Sequence, residues 1–265
     1  MTGIKNVLAT VKRENPLAYG VVIFHAMLVV LSLLGWMIDD RMLDGLNVWV
    51  KPMKFSISGG IYVLTVGYLI TLYPFSNRKK KLVTNIISWA MALEISIVVI
   101  QAARGVRSHF NQSNIVDGIL FGSMGLLIGI VVLGMVFFIV ETLRLRLKTT
   151  VPVQVAIFLG WCIVFYGSWV GGQMISQMSH TVGAPDGGEG LPVLSWSTVA
   201  GDLRIAHFFG LHAIQIIPLF AIKAQKWTRL NWIKILVILA FAALYAAWLV
   251  FTFYQAKQGL PLINL

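Results

Sequence analysis

Ile115-Val-Asp-Gly-Ile-Leu-Phe-Gly-Ser-Met-Gly-Leu-Leu-Ile-Gly-Ile-Val-Val-Leu-Gly-Met-Val-Phe-Phe-Ile-Val140 carries a single charge, Asp117, close to its start. A helix rises about 1.5 Å per residue, and about 20 apolar residues cross the roughly 30 Å hydrocarbon core of a bilayer. This stretch is long enough to do so. Six more apolar runs flank it, at roughly 17–38, 53–74, 82–103, 151–176, 204–222 and 232–256. Of 265 residues, 58% are hydrophobic and 12% charged, against about 25% charged in an ordinary soluble domain. Mean hydropathy is +0.82. These values exclude a soluble globular protein, a disordered chain and a disulfide scaffold. The expectation is an all-α polytopic membrane protein, one helical domain over 1–265 with seven spans. The first run is too long for a signal-peptide core and reads as a retained span.

Net charge is +11. In a soluble protein that would suggest a nucleic-acid partner, but the placement of the charges argues for lipid. Lys5, Lys12, Arg13, Arg78, Lys79, Lys80, Lys81, Arg144, Arg146, Lys148, Lys223, Lys226, Arg229 and Lys234 fall on one side of the spans, with only Glu14 and Glu141. On the other side, Arg41, Lys51, Lys54, Arg104, Arg107, Arg204 and Lys257 are matched by Asp39, Asp40, Asp44, Asp117, Asp186, Glu189 and Asp202. Basic loops stay on the cytoplasmic side, facing anionic lipid. The expected topology has the N-terminus inside and the C-terminus outside, in a bacterial cytoplasmic (inner) membrane, with membrane lipid as the partner and no nucleic acid. Residues 177–203, rich in glycine and proline, read as an ordered outward-facing loop or lid. Asp186 and Glu189 in it fall short of a calcium ligand set.

Three segments of the outer half concentrate the costly side chains: Trp49-Val-Lys-Pro-Met-Lys-Phe-Ser56, Gln101-Ala-Ala-Arg-Gly-Val-Arg-Ser-His-Phe-Asn111, and Gly201-Asp-Leu-Arg-Ile-Ala-His-Phe-Phe-Gly-Leu-His-Ala-Ile-Gln215. At 100° per residue, His207, Arg204, Gln215 and His212 share an arc of about 140° on the sixth span. Lipid does not tolerate such an arc, so it is expected to face the bundle interior. Pro218 follows and is expected to kink the helix. Glu94 lies about 18 Å into the third span and needs a partner, for which His212, Gln215 and Lys54 are candidates. The candidate ligand-binding set is Lys51, Lys54, Glu94, Gln101, Arg104, Arg107, His109, Asn111, Asp202, Arg204, His207, His212 and Gln215.

Plain readings stand beside these. His25 reads as an interhelical hydrogen-bonding group, Lys51 and Lys54 as side chains snorkelling to the interface, and Arg104 and Arg107 as contacts to headgroups. Asp39, Asp40 and Arg41 read as a solvated loop. Gly118, Gly122, Gly125 and Gly129 on one face, and Gly167 with Gly171 and Gly172 on another, read as grooves for a neighbouring helix. Cys162 reads as an inert packed thiol, and the tryptophans, Trp49 included, as interface anchors without further role.

At the three segments, and at the Val182-Gly-Ala-Pro-Asp-Gly-Gly-Glu-Gly-Leu-Pro192 loop, the sequence resembles a bacterial family of multi-pass integral membrane proteins whose activity is uncharacterised. Its marks are Trp-x-Lys-Pro-x-Lys-Phe, Gln-Ala-x-Arg-Gly-x-x-Ser-His-Phe-Asn and Gly-Asp-Leu-Arg-x-x-His-Phe-x-Gly-Leu-His-Ala-x-Gln. The resemblance supports the location of a site and implies no reaction or cofactor. Three functions fit the residues. The leading expectation is an outward-facing intramembrane site for a small anionic or polar ligand such as a lipid headgroup, a quinone or a small solute. The second is a metal-dependent lipid hydrolase using His109, His180, His207 and His212 with Asp202 or Glu94, although the five-residue step from His207 to His212 is not the three or four that stacks two ligands. The third is a haem-bearing redox protein with axial histidines such as His25 and His212.

Overall fold

In the computed structural model, which describes residues 3–263, the chain is all-helical apart from two pairs of two-residue strands. Helix α1 (Ile4–Glu14) precedes α2 (Pro16–Ile38), α3 (Val50–Leu69, continued by a 3₁₀ turn to Leu72), α4 (Asn77–Ala103), α5 (Ile115–Arg144), α6 (Val151–Gln177), α7 (Leu203–Ala224) and α8 (Asn231–Lys257). Seven of these, α2 to α8, are long and apolar enough to cross a membrane. Strands β1 (Met42–Leu43) and β2 (Leu46–Asn47) form a hairpin, and β3 (Thr181–Val182) pairs antiparallel with β4 (Gly201–Asp202). The contacts gather in two compact units, Met1–Gly134 and Met135–Leu265.

In unit 1, α2, α3 and α4 pack on one another. The short helix α1 is an addition to the expected plan. Its Val11 is fully buried and its three flanking charges, Lys12, Arg13 and Glu14, are exposed. A Cβ on Gly67 of α3 would lie 3.0 Å from Val11, and the Asn15 amide donates to the Gly67 carbonyl at 2.8 Å. We call this the basic end of unit 1, since α4 begins there at Ser76, whose hydroxyl caps the Lys79 amide, followed by Lys79, Lys80 and Lys81. The opposite, hairpin end holds β1–β2. Trp49 lies on Gly35, where a Cβ would come within 2.4 Å of the indole, and its Nε1 donates to Asp39 at 2.8 Å. Arg41 pairs with Asp39 at 2.7 Å and donates to the Ala103 carbonyl at 3.0 Å. The expected solvated loop is thus a clasp around Asp39 that holds the start of α3 against the end of α4, and Trp49 is part of it; only Asp40 is simply exposed.

In unit 2, α6 and α7 meet backbone to backbone. A Cβ on Gly210 would lie 2.5 Å from the Gly167 Cα, so only glycine permits the approach. Helix α8 joins them through Tyr245, whose hydroxyl donates to the Phe209 carbonyl at 2.6 Å, and through Phe241 stacked on Phe220 at 3.9 Å. Helix α7 runs on through Pro218. Cys162 is half-buried.

One packing expectation fails. Among the described residues nothing lies within 4 Å of a Cβ built on Gly118, Gly122, Gly125 or Gly129, so no described helix seats in that groove; Gly172 is equally open. Gly167 and Gly171 do pack as expected. The open α5 face continues into exposed Ile119, Leu126 and Leu133, a surface suited to contact with membrane lipid.

Candidate functional site

The first two polar segments fall in unit 1 and the third in unit 2, so each is described within its own unit. In unit 1 the arginines are committed to carboxylates. Arg104 bonds the buried Asp117 at 2.5 Å, and Asp117 also accepts from the amides of Gln101 at 2.9 Å and Asn114 at 2.6 Å. Arg107 makes a two-pronged pair with Asp44 at 3.0 and 2.9 Å, and Asn111 donates to the Arg107 carbonyl at 3.0 Å. His109 bonds Ser108 at 3.0 Å and lies 5.5 Å from the Phe55 ring, bringing the first two segments together at the hairpin end. Outside the spans, the Arg41 and Trp49 hydrogen bonds hold the Asp39 carboxyl well below the usual carboxylate range, and the bond to Asp39 holds the Arg41 guanidinium up.

Deeper in unit 1 the pattern reverses. His25 of α2 is 1% exposed and its Nδ1–H donates to the Val21 carbonyl of its own helix at 2.8 Å. Its Nε2 has no hydrogen-bond partner among the described residues. The expected interhelical bond is therefore absent among the described residues: the side chain lies against Gly59 and Gly60 of α3, where a Cβ would come within 2.9 and 3.2 Å. Ile95 of α4 closes the same spot at 3.3 Å. On α4, Glu94 is 3% exposed with Oε2 unpartnered, and the charge of Lys51 acts on the carboxyl, a partner the sequence reading had not named for it. Ser56, one turn along α3 from Gly59, is 1% exposed with its hydroxyl unpartnered. The hydroxyls of Tyr62, Thr84 and Ser88 share that state. Leaving a buried polar group unsatisfied costs about 1–3 kcal/mol, so a concentration of them calls for a reason. Sequence reasoning passed over Tyr62, Thr84 and Ser88; the only signal was the four-residue step from Thr84 to Ser88, which stacks two hydroxyls on one face of α4.

In unit 2 the ionisable groups hold the 177–203 loop. The buried Asp202 caps α7 through the Arg204 amide at 2.9 Å, takes the Arg204 guanidinium on both oxygens at 2.9 and 2.6 Å, and accepts from the Ser197 amide at 2.8 Å. The Arg204 Nη2 that meets Asp202 also donates to the Ser195 carbonyl. Asp186 accepts from the His180 ring at 2.7 Å, the Thr181 amide at 3.0 Å and the Thr181 hydroxyl at 2.8 Å. Burial pushes its carboxyl up, but the His180 and Thr181 bonds outweigh that and hold it far below the usual range. On α7, His207 is half-buried, its Nδ1–H donates to the Gly167 carbonyl at 2.8 Å, and its ring covers Gly171. His212 bonds Gln215 and meets the Phe208 ring edge-on at 4.5 Å between centroids. Arg204, His207, His212 and Gln215 are half-buried, but the fully buried face of α7 is formed by Ala206, Gly210, Ala213, Ile214 and Ile217, so the arc flanks the interior face instead of forming it.

Among the described residues, no three His, Cys, Asp or Glu side chains gather as a metal centre needs. Of the four histidines considered as ligands, His109 belongs to unit 1, and His180 and His207 direct Nδ1 to other partners. No family model, curated protein or solved structure matches the chain significantly.

Proposed function

We propose that the chain is a multi-pass protein of a bacterial cytoplasmic membrane, N-terminus inside, whose unit 1 binds a small ligand with a polar, hydrogen-bonding head among α2, α3 and α4. The membrane assignment rests on the seven apolar helices and the orientation on the one-sided basic residues. The observation that carries the binding site is the trio of buried, unpartnered atoms His25 Nε2, Ser56 Oγ and Glu94 Oε2, with Lys51 acting on Glu94. Intramembrane ionisable groups mark ligand and ion pathways. The ligand is an uncharged or weakly charged head, such as a quinone or a small solute, rather than a strong anion, because Arg104, Arg107 and Arg204 already meet carboxylates. The haem reading is disfavoured at His25, since the α3 backbone at Gly59 lies where a macrocycle on Nε2 would sit. The hydrolase reading has no gathered ligand set among the described residues to support it.

Native mass spectrometry of the full chain, titrated with decylubiquinone, phosphatidylglycerol and inorganic phosphate, tests this. Decylubiquinone is expected to be retained, and at least tenfold more weakly in Ser56→Val and Glu94→Leu. Affinity is expected to be unchanged in Arg204→Ala. Retention of phosphate alone, or equal retention by all variants, overturns the reading.

A further inference from the structure

The loop that joins α6 to α7 in unit 2 carries a narrow finger, residues 190–197. Gly190 and Ser197 form an antiparallel bridge at its base. The Leu191 amide donates to the Trp196 carbonyl, and the Ser195 amide to the Leu191 carbonyl, at 2.8 Å each. At the tip the Leu194 amide donates to the Pro192 carbonyl at 2.6 Å, which closes a γ-turn on Val193 with φ at +63°. A γ-turn of that hand is rare and strained, and a β-branched residue is poorly suited to positive φ. Ser195 follows at +60°. Beyond the α6 C-cap, the other positive φ values of the loop fall to Gly183 and Gly187, both at +93°. Glycine meets such geometry without a clash, so a turn that had only to reverse the chain would carry glycine at 193. Strain retained at a side chain points to a use for that side chain.

The strain is braced by the start of α7. Buried Asp202 accepts from the Ser197 amide at 2.8 Å and from Arg204 Nη2 at 2.6 Å, and the same Nη2 donates to the Ser195 carbonyl. What the finger presents is apolar. Val193 is 40% and Leu194 37% exposed, and Pro192 is exposed beside them. No residue from Gly190 to Gly201 carries a charge. The amides of Leu191, Leu194 and Ser195 are spent within the finger, and Pro192 has none to offer. Irregular backbone enters a bilayer only where protein meets its polar groups.

Position identifies the partner. Trp196 packs on Phe208 and Phe209, with ring centroids 5.7 and 6.2 Å away. Those rings stand about one and a half turns into α7, so Trp196 reaches back along the flank of the span. Phe208 is exposed and shares a face of about 60° with exposed Leu219 and Ile222. Phe209 meets Trp248 of α8 at 6.2 Å, Trp248 meets Phe251 at 6.0 Å, and both of these are exposed. The exposed apolar surface of α7 and α8 thus runs on through Trp196 to the finger. With α7 and α8 read as spans, acyl chains cover that surface, and tryptophan belongs at its rim.

We propose that the finger is a lipid anchor. Pro192, Val193 and Leu194 insert at the boundary between headgroups and acyl chains in the leaflet where α7 begins, and they hold the 177–203 loop on the membrane. The partner is the glycerol and upper acyl region of a phospholipid, since the finger brings no charge to select a headgroup. The anchor rests on the reading of α7 and α8 as spans and is independent of the ligand site in unit 1.

The test uses the full chain with Cys162→Ser and one introduced cysteine labelled with bimane, in phosphatidylcholine vesicles with and without lipid brominated on its acyl chains. Leu194→Cys reports the tip, Glu189→Cys an exposed position in the same loop, and Val250→Cys the exposed face of α8. Bromine is expected to quench bimane at least twofold at 194 and at 250, and to leave 189 nearly unchanged. Quenching at 250 without quenching at 194 overturns the anchor and leaves the spans. Quenching at neither overturns the membrane reading and the anchor with it. Bimane at 194 that is shielded from aqueous iodide yet untouched by bromine means that a protein surface covers the tip, which overturns the lipid assignment. Val193→Gly removes the strain and the side chain together. It is expected to melt in detergent no lower than its parent while at least halving the quenching at 194. A lower melting point with quenching intact assigns Val193 to the fold and overturns its place in the anchor.

Discussion

Unit 1 and unit 2 hold similar ionisable residues to opposite ends. In unit 2, Asp202 and Asp186 each accept several hydrogen bonds, and Arg204 lies across Asp202 as a fork. These groups are saturated, and their work is to fold the 177–203 loop onto the start of α7. In the interior of unit 1, Glu94, His25, Ser56, Thr84 and Ser88 are as deeply buried and yet each leaves an atom unpartnered. A buried network that is complete rigidifies a fold; one with open positions costs stability and so points to something those positions do.

The sharpest way to break this contrast is Asp202→Ala. Removing one partner of a buried pair costs about 3–5 kcal/mol, and the change also removes the α7 cap, so the thermal midpoint in detergent should drop steeply. If Asp202→Ala is harmless, the saturated network is not what holds unit 2. Next come the glycines. Gly167→Val places a Cβ 2.7 Å from the Gly210 backbone and should cost about 1–3 kcal/mol by overpacking. Gly122→Ala, with nothing within 4 Å, should gain up to about 1 kcal/mol from helix propensity. Equal losses at both sites would show that the α5 groove is occupied after all.

In unit 1 the expected sign is reversed for polar deletions. Thr84→Val removes an unsatisfied hydroxyl at constant shape and should leave stability unchanged or raise it by about 1 kcal/mol. A large destabilisation would mean that the hydroxyl has a structural partner. The smallest effect is expected in the loop. The Asp186 carboxyl is depressed from its ordinary 3.8, so its stabilisation is present above that value and is lost as pH falls through the folded-state titration. The protection of the His180 and Thr181 amides against hydrogen exchange, taken relative to the intrinsic rate at each pH, should therefore fall on acidification from pH 5 to pH 2, and Asp186→Asn should abolish that dependence. Protection that is flat with pH in the wild type would remove Asp186 from the loop's support.

Much of the fold was legible because bilayer thickness imposes a length that a run of apolar residues displays directly. Ile115 to Val140 needed no context to be read as a span. The small helix α1 was missed because its eleven residues offered only charges at a loop position, and its burial depends on Val11 meeting Gly67. The candidate residues were found by their cost in lipid, but cost does not say who pairs with whom. Arg104 and Arg107 read as ligand contacts because Asp117 and Asp44 are 13 and 63 residues away; Arg204 read so although Asp202 is only two residues off, because spacing alone does not show that the side chain turns back onto its own helix cap. The glycine stripe of α5 and the glycines of α6 are alike in spacing; only the second has a partner backbone.

Periodicity, hydropathy and the one-sided distribution of lysine and arginine are local properties, so the chain alone determined the seven helices, their limits to within a few residues and the expectation of polar interiors. Which polar groups are saturated is a property of contacts between helices far apart in sequence. Only the tertiary structure decided that Asp202 and Asp186 serve the fold, while Glu94, His25 and Ser56 retain unpartnered atoms inside α2, α3 and α4.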